Sequence, residues 1–517
     1  MTRLLIIALS LFCAQIQSQS DPQKLLIKNI TIISANNGGI TSQVGNVIIA
    51  DDKIVYVGSK KPKKSALYEV IDGKGKFLIP GLIDSHVHLA NTAGFNGSLK
   101  SRYPELLRLY FDQLPRSYLY FGFTTLIDVN NYHPKLINQL LDANIRPDIY
   151  TCGEQVVVMD DFSMEMEGTS SQERFDSNFL NDKYNSNINL PDTISPNEHT
   201  PQKIIENIRE QSGICAKLVY EDEASGLAVS WSKPSSDILE DLIAEAQEFQ
   251  LPLILHAPSL EGHQIGLETG VQIFAHGLWN WSADPKDFRN RDLSEVHKQV
   301  LRQIAHNDQI AYQLTFRTIT GEQDLITADF LTDKNLEHVY PKSYLDLLKT
   351  EEGQWGKNKI FGRSEFLKET NPSFYTALKS NHTDDQKMWE EAFEVYEHRL
   401  NTVASFLAEN NANLILGTDT PAMNMYTNPP GYNGILEIRH WYEAGIPLEH
   451  IFSAATFNNA SAFNLQNLYG SVEKEKIANL LILNSNPLLN VEAYNDIDMV
   501  IIRGDLIERN QLSASEY

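Results

Sequence analysis

Apolar positions along the chain fall into two patterns. At both ends they form strand-like runs with no helical period. LLIKNITIISA and VIIADDKIVYVGS lie within 23–78, and the polar turn Asp51-Asp52-Lys53 interrupts the second, which reads as β-hairpin material. IANLLILNSNP and MVIIRGDLI lie within 477–508, with a turn at Gly504-Asp505. Two strand clusters at opposite ends can make one sheet, with the middle of the chain inserted between them.

The middle alternates short apolar runs with longer amphipathic ones. Eight runs read as strands: 78–88 (LIPGLIDSHVH), 124–129 (TTLIDV), 148–153 (DIYTCG), 214–220 (ICAKLVY), 252–257 (PLILHA), 272–277 (QIFAHG), 309–316 (QIAYQLTF) and 413–419 (NLILGTD). Between several of them lie helical patterns such as IIENIREQ at 204–211 and ILEDLIAEAQEFQ at 238–250. This alternation predicts an α/β fold: a (β/α)8 TIM-like barrel inserted in a small composite β-sandwich built from both termini. An open doubly wound sheet is the other arrangement of such a pattern. The strand count and the polar residues that close the strands favour the barrel. The segment 155–202 is rich in Asn, Ser and Asp and reads as a mobile excursion. The segment 317–390 carries Trp355, Phe361, Phe366, Phe374, Tyr375 and Trp389. That is enough aromatic surface to pack, either as a helical lid over the barrel mouth or as a peripheral decoration.

Composition narrows the class. The 517 residues leave room for two or three domains and a large core. Lys and Arg total 43 against 67 Asp and Glu, a net charge of −24 whose field repels nucleic acid and anionic membranes. Three cysteines are too few for a disulfide scaffold or a Cys-rich zinc fold. Arg3, the apolar run 4–14 and the polar residues after it match a cleavable export signal ending near Ser18. The run is too short to span a bilayer core of ~30 Å. The chain is therefore expected in the periplasm or the extracellular medium without a stable membrane anchor. A lipoprotein would be modified at Cys13, but Ser10-Leu11-Phe12 before it is a poor lipobox. Cleavage leaves Cys152 and Cys215, both in apolar strand-like runs, where core packing is favoured over a bridge.

The residues at the strand ends suggest a metal site. His86 and His88 sit at i, i+2 on an extended run, so both side chains lie on one side and can grip one divalent ion. Asp84 precedes them in the same phase. A bare His-x-His is a weak signal, and a lone strand-end histidine is more often a hydrogen-bonded core residue. His256 and His276 close two further adjacent runs, which changes those odds. Asp419 closes the eighth, where a carboxylate can bind metal and also move a proton. Lys217 lies inside ICAKLVY, and a buried lysine is costly unless paired or chemically altered. Carboxylation by CO2 would turn that cation into an anion able to bridge two metals; a salt-bridged or snorkelling lysine is the plainer alternative. Such a donor set suits Zn2+ or a similar borderline ion. Tyr220 can hydrogen-bond a substrate or oxyanion, or simply pack in the core. Arg317 can hold a substrate carboxylate, or be a surface arginine, which is the commoner case. His263 reads as structural.

These motifs resemble the amidohydrolase superfamily over nearly the whole mature sequence. FLIPGLIDSHVHL is similar to the family's first-strand signature and FGFTTLIDV to its second-strand motif. AATFNNASAFNL at 454–465 and GSVEKEKIANLLILNSNPL at 470–488 resemble the segment that returns to the small β-sandwich. The resemblance implies His86, His88, His256, His276 and Asp419 as metal ligands. It also implies Lys217 as the carboxylated bridge between two Zn2+ ions. Within the superfamily the chain is most similar to the imidazolonepropionase-like branch with its prolidase-type dipeptidases. The HAPS and FAHG sequences differ from that branch's common HAxG and EHG forms, which bears on substrate contacts. Asn479 and Asn484 stand where relatives often carry Asp.

The divisions implied are 1–18 for the signal, 19–78 and 466–517 for the two parts of the sandwich, and 79–465 for the barrel with its insertions at 155–202 and 317–390. The expected activity is hydrolysis of a C–N bond in a small peptide or amide, with Asp419 as proton shuttle. A lactonase or phosphotriesterase, a mononuclear imidazolonepropionase-like hydrolase and a non-catalytic exported binding protein are the alternatives. The sequence is compatible with a homo-oligomer.

Overall fold

The computed structural model describes residues 24–60, 69–167, 175, 178–186, 190–222, 231–282, 284, 286–327 and 329–514. The expected export signal lies outside them. Along the chain come β1 (Lys24–Asn36), β2 (Gly39–Ala50), β3 (Lys53–Gly58), β4 (Glu69–Asp72) and β5 (Phe77–Pro80). The middle contributes β6 (Leu82–Val87), β7 (Phe123–Asp128), β8 (Asp148–Thr151), β9 (Ala216–Val219), β10 (Leu253–His256), β11 (Ile273–Ala275) and β12 (Ala311–Tyr312). The end adds β13 (Leu480–Leu483), β14 (Ile497–Ile502) and β15 (Asp505–Glu508). No helix among the described residues is long and apolar enough to cross a membrane.

The two ends of the chain share one eight-stranded sheet, ordered β15-β14-β13-β5-β1-β2-β3 with β4 beside β1. The antiparallel pairing of β5 with β13 joins the halves. The turn between β14 and β15 is Arg503-Gly504, both at positive φ, one residue earlier than the sequence suggests. The run 78–88, read as one strand, is two: β5 belongs to the terminal sheet and β6 to a three-stranded sheet of the middle segment. Gly81 makes the break possible. A Cβ there would lie 2.0 Å from Thr124 Oγ1, so only glycine lets the chain pass β7 at that distance.

The middle strands form two parallel sheets, β6-β7-β8 and β9-β10-β11-β12. Backbone bonds link them on one side, from Ile214 N to Thr151 O and from Val156 N to Lys217 O, both 2.8 Å. On the other side the segment 413–420 runs between β12 and β6. Ile415 N donates to Tyr312 O at 3.0 Å and Ser85 N to Leu416 O at 3.0 Å. This expected eighth strand is held by isolated bridges, Tyr312 with Leu414 and Val87 with Thr420, and not by a continuous ladder. The reason is local. A Cβ at Gly417 would lie 2.8 Å from both His86 Cβ and Gln313 Nε2, and Asp419 turns the chain at φ 57°. The segment is pressed between its neighbours and then bent out of strand geometry.

Helices follow the strands as the amphipathic runs predict. The helices Pro201–Glu210 and Ser236–Glu248 take up all but the last one or two residues of the runs 204–211 and 238–250. Thr200 and Ser235 cap their first turns through side-chain oxygens. A buried apolar cluster takes Ile83, Ile127, Cys152, Cys215, Ile254, Ile273, Ala311 and Ile415, one from each of the eight strand-like runs. Cys152 and Cys215 are not merely packed there: they are disulfide-bonded. Their runs are adjacent and parallel, which brings together two residues separated by 63 positions.

Both insertions are tied to the fold. In the first, Val156 bridges Leu218 and Val157 bridges Phe179, so its described residues are anchored rather than a free excursion. The second is helical, with Trp355–Thr370 its longest early piece. Trp355 Nε1 donates to Gly94 O at 2.8 Å and Tyr344 Oη to Ala93 O at 2.7 Å. It therefore braces the loop that follows His88.

The disulfide generates a stability prediction. A bridge closing a loop of this size contributes on the order of 4 kcal/mol in the chain-entropy account. Cys215→Ser, unfolded in denaturant, should lose a stabilisation of that order, and adding reductant should then change its midpoint no further. Equal midpoints for the oxidised wild type and the variant would show that the bridge contributes nothing.

Candidate metal centre

His86 lies near the end of β6 and His88 just beyond it. His256 ends β10, His276 follows β11, Lys217 lies within β9 and Asp419 ends the bent segment after β12. All six converge. Ligating atoms of His86, His88 and Asp419 lie within 4.8 Å of one another. Asp419 Oδ1 is 2.8 Å from His88 Nε2 and 3.4 Å from His86 Nε2. The His276 ring centroid is 5.1 Å from that of His86 and 4.4 Å from that of His256. Lys217 bears electrostatically on His86, His276 and Asp419.

Two of these residues hold unusual backbone. His276 has φ 73° and Asp419 φ 57°; Thr315, which touches His276, has φ 46°. Non-glycine residues there carry strain that the surrounding fold has to outweigh, a feature concentrated at functional sites.

Each of three imidazoles has one nitrogen engaged outside the cluster. His86 Nδ1 is 2.8 Å from Gln313 Oε1, His276 Nδ1 is 2.9 Å from Thr315 Oγ1, and His256 Nε2 is 2.8 Å from Glu221 Oε2. Gln313 is oriented in turn, its Nε2 donating to Ser85 Oγ at 2.9 Å and Ser85 O at 3.2 Å. Such partners fix a ring's orientation and leave the other nitrogen for a metal.

The charges divide the imidazoles: burial opposes protonation of His88, but the Asp419 hydrogen bond and charge outweigh it and raise that group. Burial drives the His86 and His276 imidazoles well below their usual range, reinforced by neighbouring cations, so both are neutral, the form in which an imidazole can take a metal. Burial pushes the Asp419 carboxyl up, but the His88 hydrogen bond and the nearby histidine and lysine charges outweigh it and hold it at about 2. Burial brings Lys217 down to about 7, opposed only by Asp419. Lys217 Nζ has no hydrogen-bond partner among the described residues. This buried amine with no acceptor bears on three imidazoles, those of His86, His88 and His276, and on the Asp419 carboxylate. The salt-bridged alternative has no carboxylate at bonding distance to support it.

The two expected substrate contacts are placed differently. Tyr220 Oη donates to Glu261 Oε1 at 2.7 Å, at the start of the helix Leu260–Thr269. Arg317 is neither on the surface nor free to bind a carboxylate. Its guanidinium is buried and donates to Asn433 Oδ1, Thr320 Oγ1, Asp324 Oδ2 and Thr427 O. That network takes four of its five N–H donors, which holds the guanidinium in the fold. His263 is structural as expected, between Ser259 O and Tyr312 Oη, each at 2.8 Å.

Sequence reasoning passed over Gln313, Thr315, Glu221 and Phe162. Gln313 and Thr315 alternate in phase within an apolar run, which was a usable signal. Phe162 comes from the first insertion and stacks on His256 with centroids 5.8 Å apart; nothing local announces it.

Residues 378–507 match the Amidohydrolase family model. Short stretches resemble curated enzymes. One is 36% identical over 78 residues to an adenine deaminase of Desulforamulus reducens, covering 15% of this chain and 13% of that enzyme. The chain aligns with less than a fifth of the length of the curated relatives it matches. Solved structures share the architecture at much greater extent. A Xaa-Pro dipeptidase with bound methionine superposes with a TM-score of 0.60 at 16% identity, covering 94% of this chain and 100% of that one. A. niger ochratoxinase gives 0.61 at 15% identity, covering 95% and 96%. The family match and the shared fold bear out the resemblance to the amidohydrolase superfamily and the likeness to its prolidase-type structures.

The Arg317 network yields a test. Removing one partner of a buried charged network costs about 3 kcal/mol or more. Arg317→Leu should lower the unfolding free energy by that order while KM of the folded fraction stays near wild type. Unchanged stability together with a raised KM for substrates ending in a carboxylate would return Arg317 to substrate binding.

Proposed function

We propose that the protein is an exported, metal-dependent hydrolase of C–N bonds that acts on a small peptide, an N-acyl amide or a cyclic amide. The observation that carries this reading is the convergence of His86, His88, His256, His276 and Asp419, with the buried, unpartnered amine of Lys217 bearing on His86, His88, His276 and Asp419. We take the two parallel sheets and the segment 413–419 as a TIM-like barrel whose strand C-terminal ends carry the site. The buried disulfide supports an oxidising compartment, in keeping with the export signal.

The residues fit two divalent ions, Zn2+ by donor type, with carboxylated Lys217 shared between them. Such ions would supply an acidified water and polarise the scissile carbonyl. The chain's own part centres on Asp419. Its carboxyl is held ionised, so it can accept a proton from the attacking water. It can then deliver that proton to the departing nitrogen, which is a poor leaving group until protonated. Gln313 and Thr315 keep two imidazoles in one orientation while this happens. The buried lysine argues for two ions rather than one, because a site for a single ion gives an unpaired amine nothing to do.

Metal content and activity on a panel of dipeptides and amides test the reading together. The wild type should hold about two divalent ions per chain. Lys217→Ala should lose metal and activity in parallel. Asp419→Asn should lower kcat on the order of 10²–10⁴-fold. One ion or none, indifferent to Lys217, would sink the bridged pair and favour deaminase-like chemistry at a single metal.

A further inference from the structure

We propose that the cavity between Tyr103 and the second insertion binds a small organic cation with N–H donors, a guanidinium or alkylammonium group, which takes the place that Arg102 holds in the empty protein. The site shares no residue with the metal centre, and nothing in the inference depends on the chemistry proposed there.

The cavity has a volume of about 590 Å3, in the range of small-molecule sites. Two aromatic residues, Tyr103 and Trp355, and two carboxylates, those of Glu351 and Glu352, contribute to its lining. No basic residue is among the described residues that line it. Each ring is tied by its polar end. Trp355 Nε1 donates to Gly94 O at 2.8 Å, and Tyr103 Oη donates to Glu352 Oε2 at 3.0 Å. Rings held in this way need little ordering when a guest arrives, which lowers the cost of binding. The face of an aromatic ring attracts a cation, indole most strongly. Carboxylates at the same cavity add charge and accept the guest's N–H groups.

The protein already carries out this recognition once, on its own side chain. The guanidinium carbon of Arg102 lies 5.5 Å from the Tyr103 ring centroid, and its Nη1 pairs with Glu352 Oε1. Arg102 ends the short helix Gly97–Arg102, and its side chain is 57% exposed, so it can swing into solvent and yield its place.

The balance of charge selects the guest. Arg102 offsets Glu352. Glu351 is exposed and has no ion pair among the described residues. One carboxylate in excess beside two rings favours a cation over a neutral or anionic guest. The net charge of −24 acts in the same direction at longer range.

The test uses the full chain labelled with 5-fluorotryptophan, the Trp355 resonance being assigned by Trp355→Phe. L-Arginine amide is titrated with fluorine NMR, and urea and acetate serve as neutral and anionic probes. The Trp355 resonance should move saturably with arginine amide, with a Kd on the order of 1 mM, and stay in place with the other two. Glu351→Gln should weaken binding about 2–5-fold. Tyr103→Leu should weaken it about 2–30-fold. Arg102→Ala should tighten it, because the guest then meets no resident guanidinium at Tyr103 and Glu352. A Trp355 resonance that ignores arginine amide, or that follows urea as far, overturns the proposal. So does an affinity that Arg102→Ala leaves unchanged or lowers.

Discussion

The seam between β6 and the segment after β12 is the constraint on which the site depends. Asp84 lies at its centre, accepting from Thr418 Oγ1 at 2.6 Å, Thr418 N at 3.1 Å and His86 N at 3.2 Å. Beside it, Asp419 N donates to His86 O and His88 N to Thr420 O, both at 2.8 Å. All of these bonds but the one from His86 N to Asp84 join positions more than three hundred residues apart. They set a carboxylate against two imidazoles by backbone geometry, before any ion is considered. The bend at Asp419 that prevents a regular eighth ladder is what turns its side chain to His88. Loss of regularity in the strand and formation of the site are one event.

Beneath the site lies the apolar cluster that contains the disulfide, and above it the loop braced by the second insertion. This arrangement explains how a lysine can be buried without a partner. Lys217 shares its strand phase with Cys215, two residues earlier, which is locked in the apolar cluster. Burial then lowers its proton affinity, which is the condition under which an amine reacts as a nucleophile.

Much of this was legible in the chain because period and chemistry coincide there. His86 and His88 advertise themselves through two-residue spacing at the end of an apolar run, and His256, His276 and Asp419 through their places at run ends. The terminal sheet was legible in the absence of helical period. What escaped depends on contacts between distant segments. The division of 78–88 into two strands turns on the 2.0 Å approach of Gly81 to Thr124. The disulfide turns on two runs being neighbours, which period alone does not give. Arg317 reads as a surface residue until Asn433 and Thr427 are brought to it. Glu221 sits in an acidic stretch that reads as solvated, yet the chain folds it under His256.

These misses share a physical cause. The ligands are chosen by chemistry that few residue types can perform, so they stand out in one dimension. Their supports need only a hydrogen-bonding atom at the correct place, and glutamine, threonine or glutamate can each provide it. The three supports of this site are indeed three different residue types in the segments that follow two strands, all serving one purpose. A sequence signal for such residues comes from phase: a polar residue on the inward side of an otherwise apolar strand needs a partner, because burying it alone is costly. Gln313 meets that description, and its partner is His86. The same reasoning separates a ligand that is merely present from one that is held in a single orientation, which is what a metal centre requires of its histidines.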